Sequence, residues 1–112
     1  MSLHTVGVPT EVKSDEHRVA VTPDGVRELE RHGVEVLVQT GAGEGARITD
    51  DEFRAAGAEV VDDPAEVWGR AELVCKVKEP QATELVHLRA DLVLFTYLHL
   101  AAEPHAAQAI ID

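Results

Sequence analysis

A single cysteine, Cys75, stands in the 112 residues. That excludes an intramolecular disulfide and any zinc site built on several thiolates. Serine occurs only at Ser2 and Ser14, which leaves no Ser-His-Asp nucleophile set. Basic residues are in deficit, 10 against 21 acidic, for a net charge of −11 with histidine neutral. A chain so acidic lacks the basic face that a nucleic-acid backbone or an anionic membrane requires. No apolar run approaches the roughly 20 residues needed to cross a bilayer. The start, MSLHTVGVPTEVK, has no basic n-region, apolar h-region or cleavage site. These absences predict a cytoplasmic chain with no nucleic-acid or membrane partner and no metal site. Internal repeats and low-complexity tracts are missing as well.

What is present is an alternation of short apolar runs with amphipathic stretches. His4 to Val8 reads as a strand closed by Pro9. Thr22-Pro23 supplies an N-cap and a first-turn proline, and Gly33 stands where that helix should be capped at its end. Val34 to Gln39 is valine-rich and reads as a strand. A glycine-rich loop, Gly41 to Ala46, follows. Thr49 to Glu52 opens a second helix with acid in its first turn, and Gly57 ends it. Ala58 to Val61 is a strand, and Asp63-Pro64 starts a short helix through Trp68. Leu73 to Val77 is a strand, and Thr83 to Leu88 is helical. Leu92 to Leu98 is apolar throughout, as expected of an inner strand buried on both faces. A last helix covers Ala106 to Ile111. Alternation at this spacing predicts an α/β domain, Rossmann-like, with a largely parallel sheet flanked by helices.

Four features could carry chemistry. The loop at residues 41–46 (GAGEGA) fits the relaxed dinucleotide pattern G-x-G-x-x-A after a strand. Against that reading, Glu44 lies where a pyrophosphate would sit. The next helix starts only at Thr49, and it opens with Asp50, Asp51 and Glu52. The alternative is a tight surface connection. Lysine occurs at only Lys13, Lys76 and Lys78. Residues 76 and 78 share one face if the strand runs through them, which suggests an anion site at its carboxyl end or a pair of edge lysines. Arg18 begins an apolar piece after a polar loop, so it should not be freely solvated. It suits a carboxylate ligand, or a structural ion pair with Asp15 or Glu16. His99 follows the apolar strand where open α/β sheets bind ligands, and its ordinary pKa suits proton transfer; the alternative is a core histidine. The other histidines (His4, His17, His32, His87 and His105) have no ligand-like spacing and read as surface residues. Trp68 and Phe53 read as core, and Cys75 as a buried, inert thiol.

Five segments in this order, residues 7–13 (GVPTEVK), 16–23 (EHRVAVTP), 41–45 (GAGEG), 76–80 (KVKEP) and 95–102 (FTYLHLAA), resemble the N-terminal part of bacterial alanine dehydrogenases. The likeness runs from about residue 5 to the end. It implies reversible, NAD-dependent oxidative deamination of L-alanine to pyruvate and ammonia. It further implies that residues 1–112 are the N-terminal part of a substrate domain. NAD would be held by a Rossmann domain absent from this chain, so no cofactor-binding residue is assigned here. By motif, Arg18 matches the arginine that holds the substrate carboxylate. Lys78 matches the lysine at the carboxylate and carbonyl region, and His99 the acid/base histidine. The family's catalytic aspartate falls beyond Asp112. The family assembles as homo-oligomers, usually hexamers, and the fragment alone is expected to be inactive. Cys75 replaces a usual aliphatic residue and Ala46 a usual serine. The α subunit of nicotinamide nucleotide transhydrogenase shares some of these segments but typically lacks the K-E-P and L-H-L-A-A wording. A segment of that subunit and a non-enzymatic anion-binding module built on Lys76, Lys78 and Arg18 are the alternative readings.

Overall fold

In the computed structural model, which describes residues 4–12, 16–78 and 80–96, five short strands form one sheet in which each is parallel to its neighbours. The strands are β1 (Thr5–Val8), β2 (Glu35–Gln39), β3 (Glu59–Val61), β4 (Leu73–Cys75) and β5 (Val93–Phe95), in the order β3-β2-β1-β4-β5. Three helices connect them: α1 (Pro23–Arg31), α2 (Asp50–Ala56) and α3 (Pro64–Arg70). The predicted Rossmann-like α/β architecture is the one observed.

Local chemistry sets the helix boundaries. The Thr22 hydroxyl accepts from the Gly25 amide at the start of α1. Helix α2 opens with a full capping box: Thr49 accepts from the Glu52 amide, and the Glu52 carboxylate accepts from the Thr49 amide. The Asp63 carboxylate accepts from the Ala65 amide ahead of α3. Each of these caps satisfies a helix amide that has no partner within the helix. The end of α1 is capped by His32, with Gly33 the next residue and in the left-handed region.

The sheet is covered on both sides. Val6, Val8, Val36 and Val38 are buried in one cluster with Val26 of α1 and Phe53 and Ala56 of α2. Trp68 and Ala71, on and just after α3, form a second cluster with Val74, against which Leu88, Leu92 and Leu94 pack. Helix α3 lies very close to β1: a Cβ on Gly7 would sit 2.8 Å from the Ala71 Cβ. Only glycine at that strand position admits the approach. Among the described residues no helix is long and apolar enough to cross a membrane.

Three expectations need correcting. Strand β4 ends at Cys75, not Val77, so Lys76 and Lys78 do not share a strand face. Strand β5 is an edge of the sheet among the described residues, with Val93 51% and Phe95 62% exposed; it is not buried on both faces. Its apolar run reads as inner because hydrophobicity reports what a strand is suited to cover, not whether a neighbour covers it. His87 is half-buried rather than on the surface, with its ring stacked on Trp68 at 5.7 Å between centroids. The helix expected at residues 83–88 is a 3-10 helix at Ala82–His87. The expected last helix, 106–111, and His99 lie outside the described residues.

Candidate functional site

The strand order reverses beside β1. From β1 the chain moves outward through β2 and β3, then crosses back to lay β4 and β5 on the other side. In an open parallel sheet, such a reversal leaves a crevice at the carboxyl ends of the strands flanking it. Here those strands are β1 and β4. The segments that leave them carry Glu11, Glu16 and Arg18 on one side and Lys76, Val77 and Lys78 on the other.

Lys76 is sealed below the crevice. Its ammonium lies 3.0 Å from Glu11 and 3.1 Å from Glu84, and none of the three side chains is more than 6% exposed. Two carboxylates around one buried ammonium return the Coulomb energy that its desolvation costs. Glu11 does more than neutralise. Its Oε1 also accepts from the Lys78 amide at 3.2 Å, and its Oε2 accepts from the Val77 amide at 2.9 Å. One buried carboxylate thus ties the segment after β1 to the turn after β4 and sets where Lys78 leaves the backbone. The Lys78 side chain is half-buried.

Arg18 is restrained by its neighbour. Its Nε donates to Glu16 Oε2 at 3.0 Å and its Nη2 to Glu16 Oε1 at 2.9 Å, while its backbone amide donates to Oε2 at 2.8 Å. The Arg18 side chain is 66% exposed and that of Glu16 only 4%. Arg18 is therefore solvent-facing yet not freely solvated: it is pinned through the ion pair with Glu16, one of its two anticipated partners. Asp15, the other, lies outside the described residues. Hydrogen bonds from the Arg18 guanidinium bring the Glu16 carboxyl down from 4.5 to about 2. Burial opposes that shift; the Arg18 amide and the charges of Arg18 and Lys78 reinforce it. A cleft of about 280 Å³ is lined by Arg18, Val19, Ala20 and Val77. A wider cleft of about 400 Å³ lies among Glu30, Glu35 and Glu59 and would repel an anion.

The glycine-rich loop does different work from a phosphate cradle. After a turn it forms a 3-10 helix at Glu44–Ala46. A Cβ on Gly43 would meet the Ile48 carbonyl oxygen at 2.7 Å, and one on Gly45 the His17 carbonyl oxygen at 2.6 Å. The space that glycine provides is filled by the protein's own chain, so these residues do not fit a nucleotide pyrophosphate. Gly45 instead presses on the residue between Glu16 and Arg18.

A sequence profile described as "Alanine dehydrogenase/PNT, N-terminal domain" matches residues 7–112. The chain belongs to that family. It is 54% identical over 106 residues to a protein named alanine dehydrogenase from Mycolicibacterium smegmatis, a match that covers 95% of this chain and 29% of the relative. The chain therefore spans under a third of the length of that relative. A solved structure titled L-alanine dehydrogenase superposes with a TM-score of 0.91 at 42% identity, over 96% of this chain and 29% of that one. A transhydrogenase from Sinorhizobium meliloti superposes at 0.88 with 32% identity, over 96% of this chain and 30% of that one. In this family domain, the acidic partners Glu11 and Glu84 of Lys76 are what reading the sequence missed. The one available signal was the scarcity of lysine in so acidic a chain, which implied that any buried lysine would find carboxylates. Nothing in spacing said which.

Proposed function

We propose that the full-length protein is an NAD-dependent L-alanine dehydrogenase, cytoplasmic and homo-oligomeric, and that this chain is the N-terminal part of its substrate domain. Arg18 and Lys78 hold the carboxylate of L-alanine or pyruvate, Arg18 through paired charge-assisted hydrogen bonds and Lys78 as a point charge. Lys78 also stabilises negative charge developing on the substrate oxygen. His99, which lies outside the described residues, gives and takes the proton as the carbinolamine forms and collapses. The observation that carries this reading is that Arg18 and Lys78 lie on the segments leaving β1 and β4, the two strands at the sheet's reversal, in a chain whose relatives are named alanine dehydrogenase. NAD supplies the redox equivalent, and no residue of this chain is assigned to hold it. A half-buried, single Cys75 whose thiol is pushed up by burial suits a reducing compartment.

The test is alanine-dependent formation of NADH by the full-length protein, and pyruvate- and ammonia-dependent NADH consumption in reverse. The likeness to a transhydrogenase favours a second reading, in which the same fold serves architecture and the substrate site is idle. Hydride exchange between two nicotinamide nucleotides, with no response to alanine, would select it.

A further inference from the structure

The ladder between β1 and β4 ends at the pair Gly7–Val74, and β4 itself ends at Cys75. The Lys76 amide still donates to the Phe95 carbonyl of β5 at 2.9 Å. The next two amides leave the ladder and donate to a side chain instead. Glu11 accepts from Val77 on Oε2 and from Lys78 on Oε1, and Oε1 also accepts from the Lys76 ammonium. Glu84 meets the same ammonium with Oε2, but its Oε1 accepts from the Gln81 amide at the start of its own 3-10 helix. Both carboxylates neutralise a buried cation; of the two, Glu11 is the one that also grips the turn carrying Lys78. A buried ion cluster is weak evidence for stability, since apolar side chains of like volume often serve as well. Apolar side chains cannot accept from an amide, however, and an amide left unpartnered away from water is costly. Charge-assisted bonds to two consecutive amides fix the backbone at the residue that bears the lysine.

We infer that Glu11 is the positioning residue for Lys78: by holding the amides of Val77 and Lys78 from the opposite side of the crevice, it fixes the backbone from which the substrate-binding side chain extends. This rests on the reading that Lys78 binds the substrate carboxylate. Glu11 touches no reacting atom and acts through the backbone of Lys78.

The experiment compares Glu11→Gln with Glu84→Gln in the full-length protein, each alone and combined with Lys78→Ala, with steady-state kinetics and melting temperature measured on every variant. Both substitutions remove one charge beside the Lys76 ammonium, so both should lower the melting temperature. Glu11→Gln also replaces an oxygen that accepts from an amide by an NH2 group that cannot. It should lower kcat/KM for L-alanine and for pyruvate about 10- to 100-fold, the scale of a misplaced binding group, with KM for NAD nearly unchanged. Glu84→Gln should leave kcat/KM within about twofold of the wild type, and on Lys78→Ala the Glu11→Gln change should add less than about twofold, because the group it positions is gone. An equal fall in kcat/KM from both substitutions, a Glu11 effect that persists in full without Lys78, or a Glu11→Gln protein with wild-type kcat/KM overturns the assignment. If Glu11→Gln does not fold, Glu11→Asp, which keeps the charge and reaches less far, takes its place under the same criteria. Wild-type protein that shows no alanine-dependent NADH formation would instead refute the parent reading. In that case hydrogen exchange in the peptide covering residues 76–78 reads the grip directly: protection lost in Glu11→Gln and kept in Glu84→Gln upholds the geometry, and equal protection in both overturns it.

Discussion

The Lys76 ammonium lies 3.0 Å from a Glu11 carboxylate oxygen, and that same oxygen accepts from the backbone amide of Lys78 at 3.2 Å. Glu11 thereby takes the side chain of Lys76 but only the backbone of Lys78, the lysine proposed above to meet the substrate. Lys76→Ala should leave Glu11 and Glu84 buried without their cation and cost about 3–5 kcal/mol of stability. Lys78→Ala should cost little stability. Its expected loss is about 2–5 kcal/mol of transition-state stabilisation with L-alanine. Chemical denaturation and kcat/KM on both variants check this; a Lys76→Ala protein of normal stability and poor kcat/KM would reverse the two roles.

Gly45→Ala should push the His17 backbone, because the new Cβ would stand 2.6 Å from its carbonyl oxygen. The expected cost is about 1–3 kcal/mol, with a higher KM for alanine because Glu16 and Arg18 flank the displaced residue. Gly69→Ala in α3 is the matched control: a Cβ there meets nothing within 4 Å. It should be neutral or stabilising by about 0.5–1 kcal/mol, the usual gain on replacing a helical glycine. Equal melting temperatures for the two variants would refute the contact.

Acid should release the Glu16 clamp. With its carboxyl at about 2 in the folded chain against an ordinary 4.5, Glu16 favours folding fully above pH 4.5, and that contribution is lost as the pH falls from 4.5 through 2. Stability of wild type and Glu16→Gln should differ near neutrality and converge toward the acid end of that window. A gap that stays constant across it would mean that Glu16 titrates at its ordinary value.

His99→Gln in the full-length protein should lower kcat by about 10²–10⁴, the usual loss for a general acid/base, while the melting temperature stays near that of the wild type. A core-packing histidine would give the opposite pattern, with lowered melting and normal kcat per folded molecule.

Helix starts were legible in the sequence because they depend on neighbours in the chain. Thr22-Pro23, Thr49 with Glu52, and Asp63-Pro64 cap their helices through contacts no more than three residues long. The strands were legible from their apolar runs, and their alternation with helices gave the parallel α/β class. Arg18 and Lys78 stood out because a cation at an element boundary is conspicuous in a chain of this charge. The length of β4 was not legible: Lys76 and Val77 read as strand, yet the chain there turns to meet Glu11. Nor was the edge position of β5 among the described residues, which depends on which strands pair with it. The fate of Lys76 was decided by Glu11 and Glu84, 65 residues before it and 8 after. Gly43 fits a nucleotide loop in sequence, yet it and Gly45 prove to be packing positions once Ile48 and His17 are in place. Hydropathy and capping act through the local chain and can be read along it. Burial of a charge and close backbone approach exist only between segments that folding brings together.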